Sequence, residues 1–396
     1  MSTSQEKVQK YLMNTTQWMP MILVKGEGAY VWDEEGKKYL DFVGGWGVCC
    51  LGHCHPVMVD ALTKQARILT QASPHTNDPQ KLNLAELLVN NSCFNRVFFQ
   101  NSGAEANEGA VKLARRYGKL KLNGAYEVIT ANMSFHGRTL AMTAATGQPH
   151  YQDAYQPLPV GFKNVPFNDI EAIKAATTPQ TCAVMVEPIQ GEGGVNIPDD
   201  NYLKQVRQWC DEKGILLILD EIWTGIGRCG TLFAYQQYGV EPDIMTLAKG
   251  MGSGIPIAAF LAKESCSVFV PGDHGSTYGG NPLMCAVGYA VLKYVIDKNV
   301  PANAREVGRY LLESLKRLQK KYSFIKDARG RGMMAALEFD RELAQDVLMA
   351  CLKEGVWINR VQPNTIRLMP ALIIGKKEVD EAISVLDKVL SEIKLN

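Results

Sequence analysis

Five short apolar runs alternate with amphipathic helical patterns in the central part of the chain, and this alternation limits the possible folds more than any other feature. Such alternation is typical of an α/β domain with a mostly parallel sheet. Ligands of these sheets bind beyond the carboxyl ends of the strands, so the strand ends are the first places to examine for chemistry. The runs are Val97–Gln100, Tyr126–Ala131, Ala183–Glu187, Ile215–Asp220 and Ile244–Leu247.

Three regions can be distinguished along the 396 residues. Segment 1–70 has short strand signals, and segment 71–295 has the alternating pattern. Segment 296–396 combines three amphipathic helical patterns with two strand signals. We therefore predict a large α/β domain at 71–295 and a smaller α+β domain at 296–396.

The charge balance and the apolar pattern exclude several functional classes. Lysine and arginine total 42 and acidic residues 41, and a net charge of +1 argues against nucleic-acid binding as the main function. No apolar run approaches the ~20 residues that span a bilayer. The first ten residues lack the apolar segment of a secretory signal. We expect a cytoplasmic protein with reduced cysteines.

A cluster of metal-type side chains lies between residues 49 and 55. Its spacing matches no zinc pattern with a second half, and the chain contains no Cys-x-x-Cys pair. We expect no metal here, but a turn after a buried strand, marked by its glycine and proline. The cluster consists of Cys49, Cys50, His53, Cys54 and His55.

The segment Asn101–Asn107 follows the first run and leads into a helical pattern. Gly103 allows a ligand to approach the backbone, and the first amides of a helix favour an anion such as phosphate. The alternative is an ordinary helix start capped by Ser102 or Asn101. Neither of the usual nucleotide-binding loop patterns is present.

Two more strand ends carry ionisable residues. Asp220 and Glu221 end one buried run, where they either contact solvent or hold a protonated ring nitrogen. Lys249 follows the next run, where it either reaches solvent or acts as an amine nucleophile of lowered pKa. An anion site, an acid and a lysine at neighbouring strand ends together fit pyridoxal phosphate.

Segment Ser134–Thr139 follows another strand. Within it, Phe135 can stack on a flat cofactor and Arg138 can bind a carboxylate through two hydrogen bonds. We interpret His136 as a packed turn residue.

With these motifs the chain resembles the class III aminotransferases, which are pyridoxal-phosphate enzymes of fold type I, and especially the acetylornithine/ornithine aminotransferase group. The resemblance implies a large, mostly parallel seven-stranded sheet and a small domain built from both termini, which segment 1–70 joins. The matching stretches cover nearly the whole chain and are Asn101–Asn107, Phe135–Thr139, Val186–Gly194, Leu219–Gly225, Pro242–Gly250, His274–Pro282 and Ile366–Leu368.

The resemblance also implies roles at the cofactor. Lys249 bonds the cofactor through its amine and shuttles the substrate proton, while Asp220 keeps the pyridine nitrogen protonated. Phe135 stacks on the ring, and Thr277 reaches the phosphate of a neighbouring subunit, so a homodimer is expected. The expected cofactor contacts are Ser102, Gly103, Ala104, Phe135, Asp220, Trp223, Lys249 and Thr277.

For the substrates, the resemblance implies a switchable ion pair between Glu192 and Arg367. When the pair is closed, Arg367 is covered and the pocket accepts an ω-amine. When it is open, Arg367 binds the α-carboxylate of glutamate. Arg138 holds the far carboxylate of either substrate, and Ser276 lies beside the substrate.

Three tryptophans depart from the pattern of the family. Trp223 stands where the family usually has a glutamine that meets the ring hydroxyl, and an indole offers a single donor and more bulk. Trp46 falls where ornithine-using relatives place a specificity residue, and Trp18 stands in a segment that often has tyrosine or phenylalanine. Either these residues border the substrate channel, which favours a bulkier donor, or Trp18 and Trp46 simply pack.

The expected reaction moves the terminal amine of N2-acetylornithine to 2-oxoglutarate, in arginine biosynthesis. Ornithine, succinylornithine, 4-aminobutyrate and bulkier amines are the alternative donors. An aminomutase is disfavoured because it needs no gate for glutamate. A non-catalytic binding protein is disfavoured because Lys249 and Asp220 are both present.

Overall fold

The computed structural model describes residues 3–393 and contains three sheets. The strands in chain order are β1 (Leu23–Glu27), β2 (Tyr30–Asp33), β3 (Lys38–Asp41), β4 (Arg96–Gln100), β5 (Glu127–Ala131), β6 (Phe162–Val165), β7 (Thr181–Val186), β8 (Leu216–Asp220), β9 (Ile244–Leu247), β10 (Ala258–Ala262), β11 (Ile325–Arg331), β12 (Met334–Phe339), β13 (Val356–Trp357), β14 (Asn359–Gln362) and β15 (Thr365–Leu368).

Helices cover the large sheet and pack beside the smaller ones. They are α1 (Thr3–Tyr11), α2 (Gly44–Gly47), α3 (Pro56–Ala66), α4 (Pro79–Asn90), α5 (Gly103–Lys121), α6 (Leu140–Ala145), α7 (Pro149–Gln152), α8 (Ile170–Ala176), α9 (Tyr202–Lys213), α10 (Tyr235–Tyr238), α11 (Pro282–Asp297), α12 (Val300–Lys321), α13 (Ala344–Lys353) and α14 (Lys376–Glu392).

The large sheet has the strand order β4-β10-β9-β8-β7-β5-β6. Only β10 runs antiparallel to the other six strands. Every residue of β7, β8 and β9 is buried, as expected for central strands that helices cover on both faces. The predicted large, mostly parallel seven-stranded sheet is confirmed.

The two four-stranded sheets join distant parts of the chain. The N-terminal strands β1, β2 and β3 share a sheet with β13, which pairs parallel to β3. The strands β11, β12, β15 and β14 form the third sheet. These pairings agree with a small unit built from both ends of the chain, while the boundaries near residues 70 and 295 stay a prediction.

Most of the predicted strands end within one or two residues of the observed ones, because apolar β-branched runs bounded by polar residues fix their position. Two strands of the large sheet were not among the five runs. Strand β6 is only partly buried and reads as polar, with the sequence Phe-Lys-Asn-Val. Strand β10 is rich in alanine, which has little strand preference of its own.

The element α2 is a single left-handed turn. Gly45 has φ/ψ of 60° and 43°, and Trp46 has 62° and 45°. Left-handed backbone is strained for any residue with a Cβ, so Trp46 is held there by its surroundings. The side chain of Asp41 stabilises the entry to the turn by accepting hydrogen bonds from the backbone of Val43 and Gly44.

Across residues 3–393 no helix combines the length and the apolar character needed to cross a membrane.

Candidate active site

Three central strands place a row of polar side chains at their carboxyl ends. Val186 of β7 pairs with Leu219 of β8, so the following residues, Glu187 and Asp220, are neighbours in the same register. Asp220 in turn pairs with Thr246 of β9. The carboxyl edge of the sheet therefore brings together residues that are 26 to 59 positions apart in the sequence.

Asp220 is 1% exposed and its carboxylate is held on both oxygens. Asn107 donates from Nδ2 to Oδ2 at 2.8 Å, and His136 Nδ1 lies 2.8 Å from the same oxygen. The backbone N–H of Ile222 donates to Oδ1 at 3.0 Å. A buried carboxylate with three polar partners is fixed in its direction, as the acid that faces a protonated ring nitrogen must be.

His136 is therefore more than the packed turn residue that the sequence suggested. It is 1% exposed and joins Asp220 to the loop after β5. Glu221, the residue after Asp220, is also fully buried. The interpretation that the acids at this strand end contact solvent is therefore wrong. Glu221 instead accepts the backbone N–H groups of Ala234 and Tyr235, at 2.6 and 2.7 Å.

Lys249 lies just beyond β9 with a φ of +38°, an uncommon backbone conformation for a residue other than glycine. Its Nζ lies 2.9 Å from the centroid of the Trp223 ring. Burial lowers its pKa well below the usual value, and the nearby charge of Arg367 lowers it further. A lowered pKa favours the neutral amine, the form that acts as nucleophile and base.

Trp223 contacts both Lys249 and Arg367. The Arg367 guanidinium carbon lies 4.2 Å from the centroid of the indole ring. Two glycines make room for the ring: a Cβ on Gly191 would lie 2.8 Å from Cγ, and one on Gly47 would lie 3.3 Å from Cζ3. Trp223 is thus a wall of the site, although its contact with the cofactor stays a prediction.

The N-terminus of α5 is both a capped helix start and a candidate anion site, the two interpretations that the sequence left open. Ser102 caps the helix, with its Oγ accepting the N–H of Glu105 and the Glu105 side chain accepting the N–H of Ser102. Gly103 and Ala104 follow as the first helical residues, and both line the cavity. Backbone N–H groups at the start of a 19-residue helix favour an anion there.

These elements surround a cavity of about 650 Å³. Its lining includes the start of α5, Phe135, Arg138, Trp223 and Lys249. A helix end that favours an anion and a lysine of lowered pKa line one cavity, and the anchored carboxylate of Asp220 lies behind it, in contact with the lining residue His136. This set of groups fits pyridoxal phosphate. Ser102, Gly103 and Ala104 fit its phosphate, and Asp220 fits its ring nitrogen.

Arg138 lies at the mouth of the cavity on two aromatic rings. Its guanidinium carbon is 3.9 Å from the centroid of Tyr151 and 5.4 Å from that of Phe135. Burial raises the pKa of Tyr151, and the charge of Glu192 raises it further. Tyr151 therefore lies among the groups that the sequence assigned to the substrates, and it stays a neutral phenol at neutral pH.

Glu192 and Arg367 form the ion pair that the sequence predicted. Glu192 Oε2 accepts from Arg367 Nη1 at 3.0 Å, and the carbonyl of Gly191 accepts from the same nitrogen at 2.7 Å. Asn359 Oδ1 accepts from Nη2 at 3.1 Å. The side chain of Arg367 is 1% exposed, while that of Glu192 is 19% exposed.

Four other predicted residues are not in the lining of this cavity: Ser276, Thr277, Trp18 and Trp46. Ser276 accepts a hydrogen bond from Asn101 at 3.4 Å, beside the start of α5. Thr277 is exposed, and its carbonyl accepts from Gln71. Trp46 and Trp18 are about half exposed and line a separate groove of about 530 Å³. Their roles at the substrate or at a neighbouring subunit stay predictions.

Within residues 3–393, no group of three or more histidine, cysteine, aspartate or glutamate side chains is placed to hold a metal ion. In the cluster at residues 49–55, His53 Nε2 lies 2.7 Å from Asp41 Oδ2. This contact stabilises the turn that was expected there.

Sequence reasoning missed Asn107, Tyr151 and Glu187. Asn107 lies on the buried face of α5, and a polar residue at a core position of a helix was the available signal. Glu187 follows the fully buried β7 and Asp220 ends the fully buried β8, so the argument used for Asp220 applied to Glu187 as well. Nothing local marks Tyr151, because its partners are distant in the sequence.

Comparison with known proteins agrees with this site. Residues 11–390 match the family model of the class III aminotransferases. The acetylornithine aminotransferase of Caldanaerobacter subterraneus subsp. tengcongensis is 52% identical over 97% of this chain and 98% of its own length. The ornithine aminotransferase of Toxoplasma gondii has a TM-score of 0.95 and 34% identity, covering 98% and 94% of the two chains.

A second crystal structure of the Toxoplasma gondii enzyme, grown with oxidised glutathione, has partial occupancy of PLP at the active site. It has a TM-score of 0.93 and 34% identity, and the match covers 98% of this chain and 93% of that one. The family match, the identity over nearly the full length and the geometry of the strand ends agree. The chain belongs to the class III aminotransferases.

Proposed function

We propose that this aminotransferase moves the terminal amino group of N2-acetylornithine to 2-oxoglutarate, giving N-acetylglutamate 5-semialdehyde and glutamate, as a step of arginine biosynthesis. Its cofactor is pyridoxal 5′-phosphate. The curated relatives at 45–52% identity that support this substrate are named acetylornithine aminotransferases.

The observation that carries the proposal is the closed ion pair between Glu192 and Arg367. A donor that presents an ω-amine has no carboxylate next to the reacting carbon, so a bare buried guanidinium there is unfavourable. The acceptor 2-oxoglutarate does carry such a carboxylate and can replace Glu192 as the partner of Arg367. One buried arginine with a partly exposed, movable carboxylate serves both substrates.

The bound cofactor supplies an electron sink for the carbon from which a proton is removed. Asp220, held by Asn107 and His136, provides the fixed negative charge that this electron sink needs. Lys249 Nζ, whose pKa burial lowers, would take the proton from the substrate carbon and return it to a carbon of the cofactor.

Substrate orientation falls to Arg138, whose planar guanidinium packs on Tyr151 and is exposed toward the cavity mouth. A guanidinium in a fixed plane binds a carboxylate through two parallel hydrogen bonds. Arg138 thereby holds the carboxylate that lies far from the reacting carbon in either substrate.

A second donor, ornithine, is favoured by the structural likeness to the Toxoplasma gondii ornithine aminotransferase. Ornithine lacks the acetyl group, so its free α-amine is charged. The indole of Trp223 and the ring of Phe135 give the cavity a largely apolar wall, which suits the acetylated donor better than a second ammonium group.

The test is a half-reaction without keto acid. The cofactor-loaded enzyme is mixed separately with N2-acetylornithine, ornithine and 4-aminobutyrate, and the cofactor absorbance is followed. We expect acetylornithine to change the spectrum fastest and 2-oxoglutarate to restore it. A spectrum that acetylornithine leaves unchanged while another amine alters it contradicts the substrate assignment but leaves the aminotransferase assignment intact.

Within the same proposal the enzyme is a cytoplasmic homodimer whose active sites lie at the subunit interface. The half-exposed Trp18 and Trp46 support it, since large exposed apolar side chains that share a groove mark interaction surfaces. The exposed Thr277 is accessible to a neighbouring subunit. The ten cysteines, all free, fit a reducing compartment. Light scattering of the purified enzyme tests the dimer, and a monomeric mass contradicts it.

A further inference from the structure

Glu187 lies in the same strand-end row as Asp220. It is the first residue after β7, and its neighbour across to β8 is Asp220 because Val186 pairs with Leu219. Strands in a sheet are about 4.8 Å apart, and side chains in register point to the same face. Two carboxyl groups therefore lie side by side in the interior of the protein.

The two acids differ in their partners. Glu187 is 1% exposed, and neither of its carboxylate oxygens has a hydrogen-bond partner among residues 3–393. The Phe135 backbone N–H lies near enough to offset part of the electrostatic cost, but not in hydrogen-bond geometry. Asp220, in contrast, accepts hydrogen bonds from Asn107 and from the backbone of Ile222, and His136 Nδ1 lies 2.8 Å from its Oδ2.

Such an arrangement cannot hold two negative charges. A buried ionised carboxylate without hydrogen bonds is costly, and a second carboxylate beside it adds repulsion. Between two coupled acids, the proton stays on the one that has fewer partners for its charge. In this row that acid is Glu187.

We propose that Glu187 is a positioning residue of the active site that stays protonated in the working enzyme, so that Asp220 alone carries the negative charge of the strand-end row. This inference deepens the proposed function and rests on the role assigned there to Asp220.

Four charged or titratable groups interact with Glu187. Asp220 on β8 and Glu192 in the loop after β7 disfavour its ionisation, while Lys249 after β9 and Arg367 on β15 favour it. Burial is the largest cause, and it raises the pKa of Glu187 well above its usual value. An ionised Glu187 would instead attract a proton to the Lys249 amine, and a protonated amine is neither a nucleophile nor a base.

A matched control lies in the same segment of the chain. Glu221 is also fully buried, but its carboxylate accepts two backbone N–H groups and the hydroxyl of Thr224. Burial raises the pKa of Glu221 only to about 7, because these donors lower it again. At about pH 8 Glu221 is therefore mostly ionised, while Glu187 keeps its proton.

The experiment is infrared difference spectroscopy of the full-length enzyme at about pH 8. The spectrum of each variant is subtracted from that of the wild type, once with the cofactor bound and once after its removal. The band of interest is the carbonyl stretch of a protonated carboxylic acid. We expect E187Q to lose a band that the wild type and E221Q both retain. If E187Q and the wild type have the same spectrum in this region, Glu187 is ionised and the proposal is overturned.

The variant D220N separates an electrostatic role from a merely structural one, and it does not depend on E187Q being folded. Removing the neighbouring charge makes ionisation of Glu187 easier. The pH at which the carbonyl band disappears should consequently be lower in D220N than in the wild type. An unchanged pH contradicts the coupling between the two acids.

Thermal unfolding gives an independent measure. A carboxyl whose pKa is raised in the folded state binds more protons there than in the unfolded chain, so the unfolding free energy falls as the pH rises above about 4.5. E187Q removes this loss, and its Tm relative to the wild type should rise between about pH 5 and pH 8. A constant difference contradicts the proposal.

The outcomes also separate this inference from the proposed function. A carbonyl band from Glu187 with no response to acetylornithine refutes the substrate and leaves the inference standing. A normal response to acetylornithine without the band refutes the inference alone.

Discussion

The two sides of the active-site cavity are built in different ways. The cofactor side consists of Asp220, Lys249 and the start of α5, and each of these directly ends or follows a strand of the large sheet. The substrate side consists of Arg138, Tyr151 and the pair of Glu192 with Arg367. These four come from separate segments, and Arg367 lies on β15 of the third sheet.

In the proposed function, the cofactor side carries out the chemistry and the substrate side determines the specificity. Register in one sheet fixes the relative positions on the cofactor side, because neighbouring strand ends cannot move independently. The substrate side depends on how the third sheet and two loops pack against the large sheet. Trp223 is the link, since it contacts Lys249 on one side and Arg367 on the other.

The largest effect is expected on the cofactor side, from K249A. Without the amine there is neither a nucleophile for the cofactor nor a base for the substrate proton, so kcat should fall at least about 10⁴-fold. Steady-state turnover with glutamate formation measures this. K263A, which removes a lysine paired with Glu241 near the surface, is the control. Substantial turnover by K249A would remove Lys249 from the mechanism.

The next effect tests whether the substrate side can be altered alone. E192A leaves Arg367 as a buried, unpaired cation, a change that typically costs about 2 kcal/mol or more. The half-reaction with an ω-amine donor should slow at least about tenfold, because the uncovered cation repels the donor. The half-reaction with 2-oxoglutarate should keep its rate, because its carboxylate replaces Glu192.

Stopped-flow absorbance measures the two half-reactions of E192A separately. D327N serves as its control, because Asp327 pairs with an arginine on β11 of the same third sheet, outside the site. If both half-reactions slow equally in E192A, the two sides of the cavity are not independent, and the switching role of the pair is wrong.

The cofactor side was predictable from the sequence for the same reason that it is rigid. Asp220 and Lys249 end runs of buried residues, so a local pattern reveals both the strand and the functional position. Glu192 and Arg367 came from a resemblance instead, while Arg138 was singled out by its place beside Phe135 after a strand. The neighbourhoods of these three residues gave no physical reason to bring them together across more than 200 residues of chain.

Other features lay beyond local patterns altogether. The partial exposure of Glu192 and the burial of Tyr151 depend on packing between sheets, which no single segment encodes. Three glycines in four residues are a signal for a left-handed turn at 44–47. They do not indicate that Trp46 adopts the same strained conformation. That conformation depends on Asp41 and on contacts of the turn with distant residues.

A pH experiment tests how the buried carboxyl group of Glu221, next to the cofactor side, is held. Burial raises the pKa of Glu221 from 4.5 to about 7, so the folded state binds the proton more tightly than the unfolded chain does. The unfolding free energy therefore falls between these pH values, by about 3 kcal/mol from this residue. Chemical denaturation at several pH values should show a weaker loss in E221Q. Equal pH dependences contradict the assignment.

The link between the two sides is tested by G191A. The added Cβ would lie 2.8 Å from Cγ of Trp223, too close for any side chain, and overpacking of this kind costs about 1–3 kcal/mol. We expect a lower Tm and altered tryptophan fluorescence. G275A is the control, since a Cβ on Gly275 meets nothing within 4 Å. A G191A variant as stable as G275A would show that the indole has room to move.

The smallest effect concerns the outer rim, where Trp46 occupies the left-handed turn with a φ of +62°. W46G and W46A both remove the indole, but only alanine keeps a Cβ in this strained conformation. After the greater unfolded-state entropy of glycine is counted, W46G should be about 0.5–1 kcal/mol more stable than W46A. Chemical denaturation of the two variants measures the difference.

The same two variants decide whether Trp46 belongs to the substrate side. A residue that borders the path of the donor changes the donor KM through its indole, so both variants should change it equally despite their different stabilities. A residue that only packs in the groove with Trp18 leaves the donor KM unchanged in both. If the donor KM instead follows stability, the backbone of the turn matters more than the indole, because Gly47 of the same turn lies so near Trp223 that a Cβ there would be 3.3 Å from the indole.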